Sequence, residues 1–337
     1  MADGKFDERL AYIAEAARAV LGAEPQKIST PGGKSRSSMR LHYPDRTVIA
    51  TLRANFRRTH LEAYVLEQLA PHCDDIPRVL GVHDDVLFQS DTGETRLSTE
   101  IIEHDPEDQL ELAAEACAAI FRIQAAARKT RLHEMLPHLG ANRDWIANFV
   151  GSVDALEPYS MGVPDSFDFS AVASFVERAG VQFLKWDCRA GNAAIGADGF
   201  VRWFDFEYAG LRHGAEDFAW LIGDETWPIA PDKMADIMID TFDRGCGHDI
   251  ADYLEYLSAY TALHCVQRLQ LIQKEVRKRG WLSQERVRRL DDAGVHPAFA
   301  AQLCRTGAYF SAQCRLTAPL SRNFEAASRA FRAMAEG

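Results

Sequence analysis

The sequence predicts an α+β fold with two lobes, a small β-rich lobe over residues 1–103 and a larger, mainly helical lobe over residues 104–337. Three observations predict it. Short β-forming segments separated by turn sequences fill most of the N-terminal third. From Pro106 onward, apolar residues recur mostly at helical spacing. A strand-rich stretch at 181–206 interrupts these helices, and a length of 337 residues suits two lobes that share a core.

The predicted first lobe begins with a helix over residues 5–21, which Gly22 ends. Three short strands then form an antiparallel meander, because Pro31-Gly32-Gly33 and Pro44-Asp45 supply turns between them. A second helix and two more strands complete the lobe. The predicted bounds are 26–30, 38–43 and 47–53 for the first three strands, 59–70 for the helix, and 78–89 and 97–103 for the last two strands, with a turn at 90–93.

The predicted second lobe is helical apart from one hairpin. Its main helices are predicted at 107–128, 168–180, 231–244 and 250–279, with at least two shorter helices after them. The hairpin has strands at 183–186, 193–195 and 201–204, a loop at 187–192 and a turn at 197–199. Because strand ends hold side chains in fixed geometry, this hairpin is the predicted frame of the site.

Composition and charge narrow the class of protein. The chain is 47% hydrophobic and 26% charged, and no apolar run approaches the roughly 18 residues that span a bilayer. The N-terminus is charged and lacks the apolar core of a signal peptide, and the seven cysteines are scattered. We therefore expect free thiols in a cytoplasmic protein without membrane association or an obligatory protein partner. The net charge of −11 argues against nucleic-acid binding, and its concentration beyond residue 103 favours cationic small molecules.

One segment carries the predicted chemistry. Asp187 and Asn192 are separated by four residues, and a second acid, Asp205, follows an apolar run thirteen residues later. Phosphoryl transfer from a magnesium nucleotide requires a carboxylate that receives or orients the acceptor hydroxyl, and oxygen ligands that hold the metal. The segment supplies all three groups. In the alternative interpretation Asp187 and Asn192 are only turn residues, which leaves the acid after the paired strand unexplained.

This segment resembles the active-site block of the aminoglycoside phosphotransferase and choline kinase families, which share a protein-kinase-like fold. The family pattern is H-x-D-x4-N, then an apolar strand that ends in Asp, then an Asp and an aliphatic pair. It appears here as Lys185-Trp186-Asp187 to Asn192, as Phe204-Asp205-Phe206-Glu207-Tyr208, and as Glu216-Asp217-Phe218-Ala219. The resemblance covers most of the chain in outline and implies a two-lobed kinase-like fold.

The resemblance also implies a role for each matching residue. Asp187 is the catalytic base, and Asn192 and Asp205 are the magnesium ligands. Asp217 braces the catalytic loop by accepting backbone hydrogen bonds, or alternatively caps the N-terminus of the following helix. Lys185 replaces the family's histidine and is assigned with Asp187 and Arg189 to the catalytic residues; it pairs with Asp217 or Asp205, or alternatively lowers the activity.

The nucleotide side of the site is predicted from the first lobe. Small residues in Gly32-Gly33-Lys34-Ser35 let backbone N–H groups approach phosphates, although a plain hairpin turn has the same composition. By the resemblance, Arg53 binds the phosphates and Glu62 pairs with it; the alternative is a surface arginine and a solvated glutamate. The segment 97–103 is the predicted hinge strand for adenine. Arg189 faces the transferring phosphate or is an exposed loop residue.

The substrate side has weaker signals. We assign Glu207 and Asp217 to this side. Trp220 and Trp227 form a cage for an amine or, alternatively, belong to the core. The basic run 274–279 binds an anionic substrate or partner, or is the solvated face of a helix.

The sequence thus predicts an ATP- and Mg²⁺-dependent phosphotransferase that acts on a hydroxyl of a small molecule of the amino alcohol, aminoglycoside or sugar type. Two alternatives stay open. Loss of the histidine is compatible with a pseudokinase that holds nucleotide without transfer. A protein kinase is disfavoured, because the dozen residues from Phe206 to Asp217 are too few for a long regulatory activation loop.

Overall fold

A computed structural model describes residues 2–34, 36–140, 142–177, 180–290 and 292–337 of the chain. The first part of the chain forms a five-stranded antiparallel sheet with the strand order β1-β2-β3-β5-β4. Two helices accompany the sheet. The elements are α1 (Ala2–Leu21), β1 (Lys27–Ser29), β2 (Ser38–His42), β3 (Thr47–Leu52), α2 (Phe56–Leu69), β4 (Val79–His83) and β5 (Val86–Ser90).

The two faces of this sheet differ because side chains alternate along each strand. Met39, Val48 and Phe88 belong to one face and pack with apolar side chains of α1 in a hydrophobic cluster. Residues of the opposite parity, among them Thr51 and Gln89, line the cleft below the sheet. The alternation therefore gives the sheet one face for folding and one face for a ligand.

From residue 95 onward the chain is mostly helical. Its helices are α3 (Leu97–Glu100), α4 (Pro106–Ala127), α5 (Leu132–Met135), α6 (Arg143–Gly151), α7 (Phe169–Glu177), α8 (Ala215–Ile222), α9 (Pro231–Asp240), α10 (Ile250–Arg279), α11 (Gln284–Leu290), α12 (Pro297–Gln313) and α13 (Ser321–Glu336). Its short strands are β6 (Thr95–Arg96), β7 (Gln182–Leu184), β8 (Ala193–Ile195), β9 (Val201–Trp203) and β10 (Gly210–Arg212). These helices confirm the predicted long helices, with ends that shift by a few residues.

The short strands frame the predicted hairpin. β8 and β9 pair antiparallel, with Ala193 opposite Trp203, and β6 pairs with the other edge of β8. β7 pairs with β10. The sequence did not predict β10, because three residues are too few to show a periodic pattern. The loops that follow β7 and β9 are thereby fixed at both ends.

Two strand predictions are wrong. The segment predicted as one strand over 78–89 is the β4–β5 hairpin, with Asp84 at φ 50° in its turn. The segment 97–103, predicted as the hinge strand, is helical, since α3 continues into a 3-10 helix. Leu97 and Ile101 are both fully buried, and a spacing of four residues places them on one helical face. The last strand of the five-stranded sheet along the chain is therefore β5, and not the segment 97–103.

The seven cysteines are buried free thiols, as predicted from their scattered positions. In the part of the chain that the structure describes, every helix is too short or too polar to cross a lipid bilayer.

Candidate active site

Three segments meet at the cleft below the sheet: the end of β3, the loop after β7 and the loop after β9. Trp186, Asp187 and Asp205 have φ values of 62°, 50° and 66°. This left-handed conformation is unfavourable for residues other than glycine, and such strain concentrates at functional sites. The strained loops therefore identify the cleft as a candidate active site.

Asp187 lies in a network that orients its carboxylate. Nδ2 of Asn192 donates to the carbonyl oxygen and to Oδ2 of Asp187, both at 3.0 Å. Nε of Arg189 donates to Oδ1 of Asp187 at 3.1 Å. The Asp187 side chain keeps 22% of its exposure, so the carboxylate is held in place and still reaches solvent. Because Asn192 donates through its nitrogen, its amide oxygen is the atom suited to a cation.

Arg53 and Glu62 form the pair that the resemblance implies. The Arg53 guanidinium forms ion pairs with Glu62 and, at 2.6 Å, with Asp205, and its Nε lies 3.1 Å from Glu207. Burial opposes the charge on Arg53, but the three carboxylates outweigh this effect and raise its pKa. Glu62 is fully buried, which raises its pKa, and it accepts a hydrogen bond from the Phe206 nitrogen at 2.9 Å. Arg53 thus stays charged and ties the end of β3 to the loop after β9.

Asn192 and Asp205 offer oxygen ligands in the same cleft. The Asp205 side chain is 31% exposed, and Mg²⁺ prefers one or two protein oxygens combined with phosphate oxygens and waters. Among the described residues, no cluster of three or more His, Cys, Asp or Glu side chains could hold a metal ion. The two oxygen ligands therefore fit a magnesium nucleotide better than a metal bound by protein alone.

Lys185 contacts backbone carbonyls instead of the carboxylates that the sequence predicts. The residue is 1% exposed. Its Nζ donates to the carbonyl oxygens of Trp186 and Asp187 at 3.3 Å and of Asp205 at 3.1 Å. The predicted pairing with the Asp217 or Asp205 carboxylate is wrong, because the ammonium points at the strained backbone of both loops. Lys185 positions the loops and does not reach the cleft.

Asp217 of α8 braces the loop that follows β7. Its Oδ2 accepts from the Lys185 nitrogen at 3.0 Å and its Oδ1 from the Trp186 nitrogen at 2.8 Å, while Gln124 donates to Oδ2 at 3.2 Å. The residue is 1% exposed, and burial raises its pKa. The alternative role as a helix cap is wrong, because Gly214 occupies the N-cap of α8. The assignment to the substrate side is also wrong, because the buried carboxylate cannot touch a molecule in the cleft.

The glycine loop between β1 and β2 contributes unevenly to the cleft. Gly32 lines it. Gly33 has φ 92°, a conformation that favours glycine. Lys34 lies beside α1, with its Nζ 5.1 Å from the centre of the Phe6 ring, and so faces the helix. Ser35 lies outside the described residues.

A second cavity, of about 360 Å³, has Asp187 in its wall. Trp186 and Trp220 also line it, with their ring centres 5.7 Å apart. Trp227 is 2% exposed and its Nε1 contacts the Met234 sulfur at 3.2 Å, so it belongs to the core and not to a cage.

Glu207 is placed away from this second cavity. Its carboxylate lies 3.1 Å from Arg53 and 3.6 Å from Arg58. Arg58 in turn donates to the hydroxyl of Tyr208 at 2.8 Å, and Tyr208 lines the cavity. Glu207 is therefore linked to this cavity through Arg58 and Tyr208.

Trp186 and Arg268 are among the residues of the second cavity that sequence reasoning missed. Trp186 directly precedes Asp187, and that position was a usable signal. Arg268 comes from α10, far along the chain, and no local pattern connects it to Asp187. Only folding brings it to the site.

No protein-family model and no curated protein sequence matches the chain. Solved structures match it along most of its length. A choline/ethanolamine kinase family protein from Mesorhizobium loti has a TM-score of 0.52 at 16% identity, over 94% of this chain and 99% of that one. The GDP complex of aminoglycoside 2'-phosphotransferase-IIIa has a TM-score of 0.57 at 11% identity, over 89% and 98%. Macrolide 2'-phosphotransferase from Brachybacterium faecium has a TM-score of 0.55 at 14% identity, over 87% and 97%.

At such identities the likeness defines the fold. It agrees with the small antiparallel sheet, the helical second part and the hairpin between them. The chain has the kinase-like fold that these choline kinase-type and antibiotic phosphotransferases share.

Proposed function

We propose that this protein transfers the γ-phosphoryl group of Mg-ATP to a hydroxyl group of a small molecule. The observation that carries the proposal is the convergence of Asp187, Asn192 and Asp205, with the Arg53–Glu62 pair beside them. Structures of the same fold support it, since they are phosphotransferases, and two were solved with GDP or with ADP.

Asp187 is the group that acts on the acceptor. It orients the hydroxyl and accepts its proton, while the donors from Asn192 and Arg189 hold its carboxylate in place. The hydroxyl oxygen forms the new bond to the γ-phosphorus as the bond from that phosphorus to the β–γ bridging oxygen breaks, and ADP leaves. Mg²⁺, held by the Asn192 oxygen and Asp205, supplies charge neutralisation on the phosphates when bound.

Arg53 is the cation proposed to bind the phosphates. Its planar guanidinium suits phosphate oxygens, and Glu62 is its fixed, buried partner. The same guanidinium contacts Asp205 and Glu207, so nucleotide binding exchanges these carboxylates for phosphate oxygens. Glu62 keeps the group aimed at the cleft during the exchange.

Thermal unfolding of the wild type and of Asp205→Asn, each with and without Mg-ATP, tests the proposal. A ligand that binds the native state raises the midpoint by mass action. We expect a magnesium-dependent rise in the wild type that is lost or much reduced in Asp205→Asn. Asp198→Asn, in the exposed turn between β8 and β9, is the matched control and should respond as the wild type does.

Turnover separates transfer from binding alone. We expect phosphorylation of a hydroxylated acceptor to disappear in Asp187→Asn while the nucleotide-dependent rise in midpoint remains. A rise without phosphorylation of any acceptor indicates a pseudokinase. Absence of any rise at saturating Mg-ATP and Mg-GTP contradicts the proposal.

A further inference from the structure

The cavity beside Asp187 continues along α10 into another cavity of about 690 Å³. The two cavities share Trp220, Arg268 and Leu271 in their walls. We call the combined space the acceptor groove. A molecule whose hydroxyl lies at Asp187 extends naturally into it.

The acceptor groove is basic although the whole chain has a net charge of −11. Its described lining carries the basic side chains Arg189, Arg268, Lys274 and Arg277 and the carboxylates Asp187 and Asp154. Asp187 already accepts hydrogen bonds from Asn192 and Arg189. Asp154 is thus the one carboxylate of this described lining that is not part of the proposed catalytic centre.

Arg268 is a fixed cation in the middle of the groove. Only 9% of the residue is exposed, and Glu225 binds its Nε at 3.1 Å and its Nη2 at 2.7 Å. Glu225 is itself held by the backbone nitrogen of Gly294 at 2.6 Å. Burial opposes the charge on Arg268, but Glu225 outweighs this effect and raises its pKa. The guanidinium is therefore charged and pre-oriented in the groove wall.

Lys274 and Arg277 differ from the other basic residues at the end of α10. Lys278 and Arg279 form ion pairs with Glu275 at 2.6 and 3.1 Å. Lys274 and Arg277 line the groove, and neither forms an ion pair within the described part of the chain. Their charges are available to an anion in the groove.

An apolar wall lies between these cations and Asp187. Trp186 and Trp220 line the groove with ring centres 5.7 Å apart, and Leu271 adds an aliphatic surface. Flat aromatic side chains suit a sugar ring or a hydrocarbon segment, whose polar groups are then fixed by a few charged partners.

Given the proposed transferase function, we propose that the acceptor is a hydroxylated small molecule that carries a carboxylate or phosphate group. Its hydroxyl lies at Asp187, its carbon frame lies against Trp186 and Trp220, and its anionic group lies at the basic side chains of α10. A polycation would meet like charge there and lose affinity. This preference for an anionic acceptor is opposite to the preference for cations that the net charge predicts. Charges within a Debye length of the ligand, about 8 Å, dominate its binding.

Three matched classes of acceptor test this preference with Mg-ATP, by ADP release. The first contains hydroxy acids and sugar phosphates, the second neutral sugars and polyols, and the third amino alcohols and aminoglycosides. Glucuronate, glucose and glucosamine place an acid, no charge or an amine on one ring. We expect kcat/KM at least tenfold higher for the best anionic acceptor, and the two anionic arms distinguish carboxylate from phosphate. Turnover of no anionic acceptor, or preference for an amine, overturns the inference.

Charge reversal on α10 locates the anion-binding side chains. In the double variant Lys274→Glu, Arg277→Glu we expect KM for the best anionic acceptor to rise at least tenfold, with kcat changed less than twofold. Lys278→Glu, on the same helix and outside the groove lining, is the control and should keep KM within twofold. All three side chains are exposed, so the variants retain the core. An unchanged or lower KM in the double variant overturns the inference.

The proposed function and this inference fail in different ways. If Mg-nucleotide raises the midpoint and Asp187-dependent turnover is confined to amines, the transferase stands and the anionic acceptor is rejected. If no Mg-nucleotide raises the midpoint, the transferase itself is rejected.

Discussion

Lys185 is the residue at which the chain departs from the H-x-D pattern, and its contacts show what it does there. Its buried ammonium donates to three carbonyl oxygens, two in the loop after β7 and one at Asp205. The residues that supply these carbonyls, Trp186, Asp187 and Asp205, all have left-handed φ. The lysine therefore holds together two strained loops that carry the proposed base and a proposed metal ligand.

Replacement of Lys185 by Met should be severe, because it leaves buried carbonyl oxygens without a donor. We expect a loss of about 3 kcal/mol in the free energy of unfolding, measured by urea denaturation. We also expect kcat to fall more than KM rises, since the loops lose their geometry. Lys233→Met, on the exposed face of α9, is the control and should change stability by less than about 0.5 kcal/mol. A loss below about 1 kcal/mol for Lys185→Met would mean that the carbonyl contacts are replaceable.

Among the site residues, the sequence alone predicted those that lie close together along the chain. Asp187, Asn192 and Asp205 stand close together in the chain, and their residue types alone indicate a metal and a base. Arg53 and Glu62 needed a family resemblance, because nothing local links β3 to the loop after β9. Arg268 was beyond prediction, because only the packing of α10 brings it beside Asp187.

α8 is the element that sets the position of the loop after β7, which carries the proposed base. Its Asp217 accepts both backbone N–H groups at the start of that loop, and Gln124 of α4 donates to the same carboxylate. Position 217 requires a carboxylate, because all the described hydrogen-bond partners of the Asp217 side chain are donors. An isosteric amide presents an NH₂ group to at least one of them.

Asp217→Asn should therefore lower stability and activity together. We expect a loss of about 1–3 kcal/mol in the free energy of unfolding, since a buried N–H group is left unpaired. We expect kcat to fall by at least tenfold while the rise in midpoint with Mg-ATP is reduced but present. Asp236→Asn, exposed on α9, is the matched control. A variant with wild-type stability and kcat would show that the loop keeps its geometry without this brace.

Element prediction succeeded where periodicity is long and failed where segments are short. α10 spans 250–279 as predicted, because thirty residues show the helical pattern many times. The prediction of a strand at 97–103 is wrong because β-branched and apolar residues fit either a strand or a helix over so short a length. Burial of both Leu97 and Ile101 decides in favour of the helix.

At the scale of the molecule, the described residues form two hydrophobic clusters that do not follow the predicted lobe boundary. The smaller cluster joins α1 to one face of the sheet. The larger one extends from α2 to α13 and includes Val65 and Leu66. α2 thus belongs to the larger core although it lies within the predicted first lobe, and the division at residue 103 stays a prediction.

Buried neutral histidines make the stability of the whole molecule sensitive to acid. His213 and His264 are buried, and burial lowers the pKa of each to about 3. In the unfolded chain each titrates near 6.5, so the unfolded state binds more protons between these values. The two histidines make their full contribution to the free energy of unfolding above pH 6.5, and this contribution is lost as the pH falls towards 3. Glu216 has the opposite effect on the pH dependence of stability. Burial raises its pKa to about 7, so its contribution to the free energy of unfolding falls as the pH rises towards 7.

His264→Phe isolates one of these contributions. As the pH falls from 7 to 5, a histidine that becomes protonated in the unfolded chain but stays neutral in the native state lowers the free energy of unfolding by about 2 kcal/mol. The variant should therefore lose about 2 kcal/mol less than the wild type over this interval, by urea denaturation at both pH values. Any packing defect from the phenyl ring lowers stability equally at both pH values and cancels in the difference. Equal losses in the wild type and His264→Phe would show that His264 is protonated in the native state.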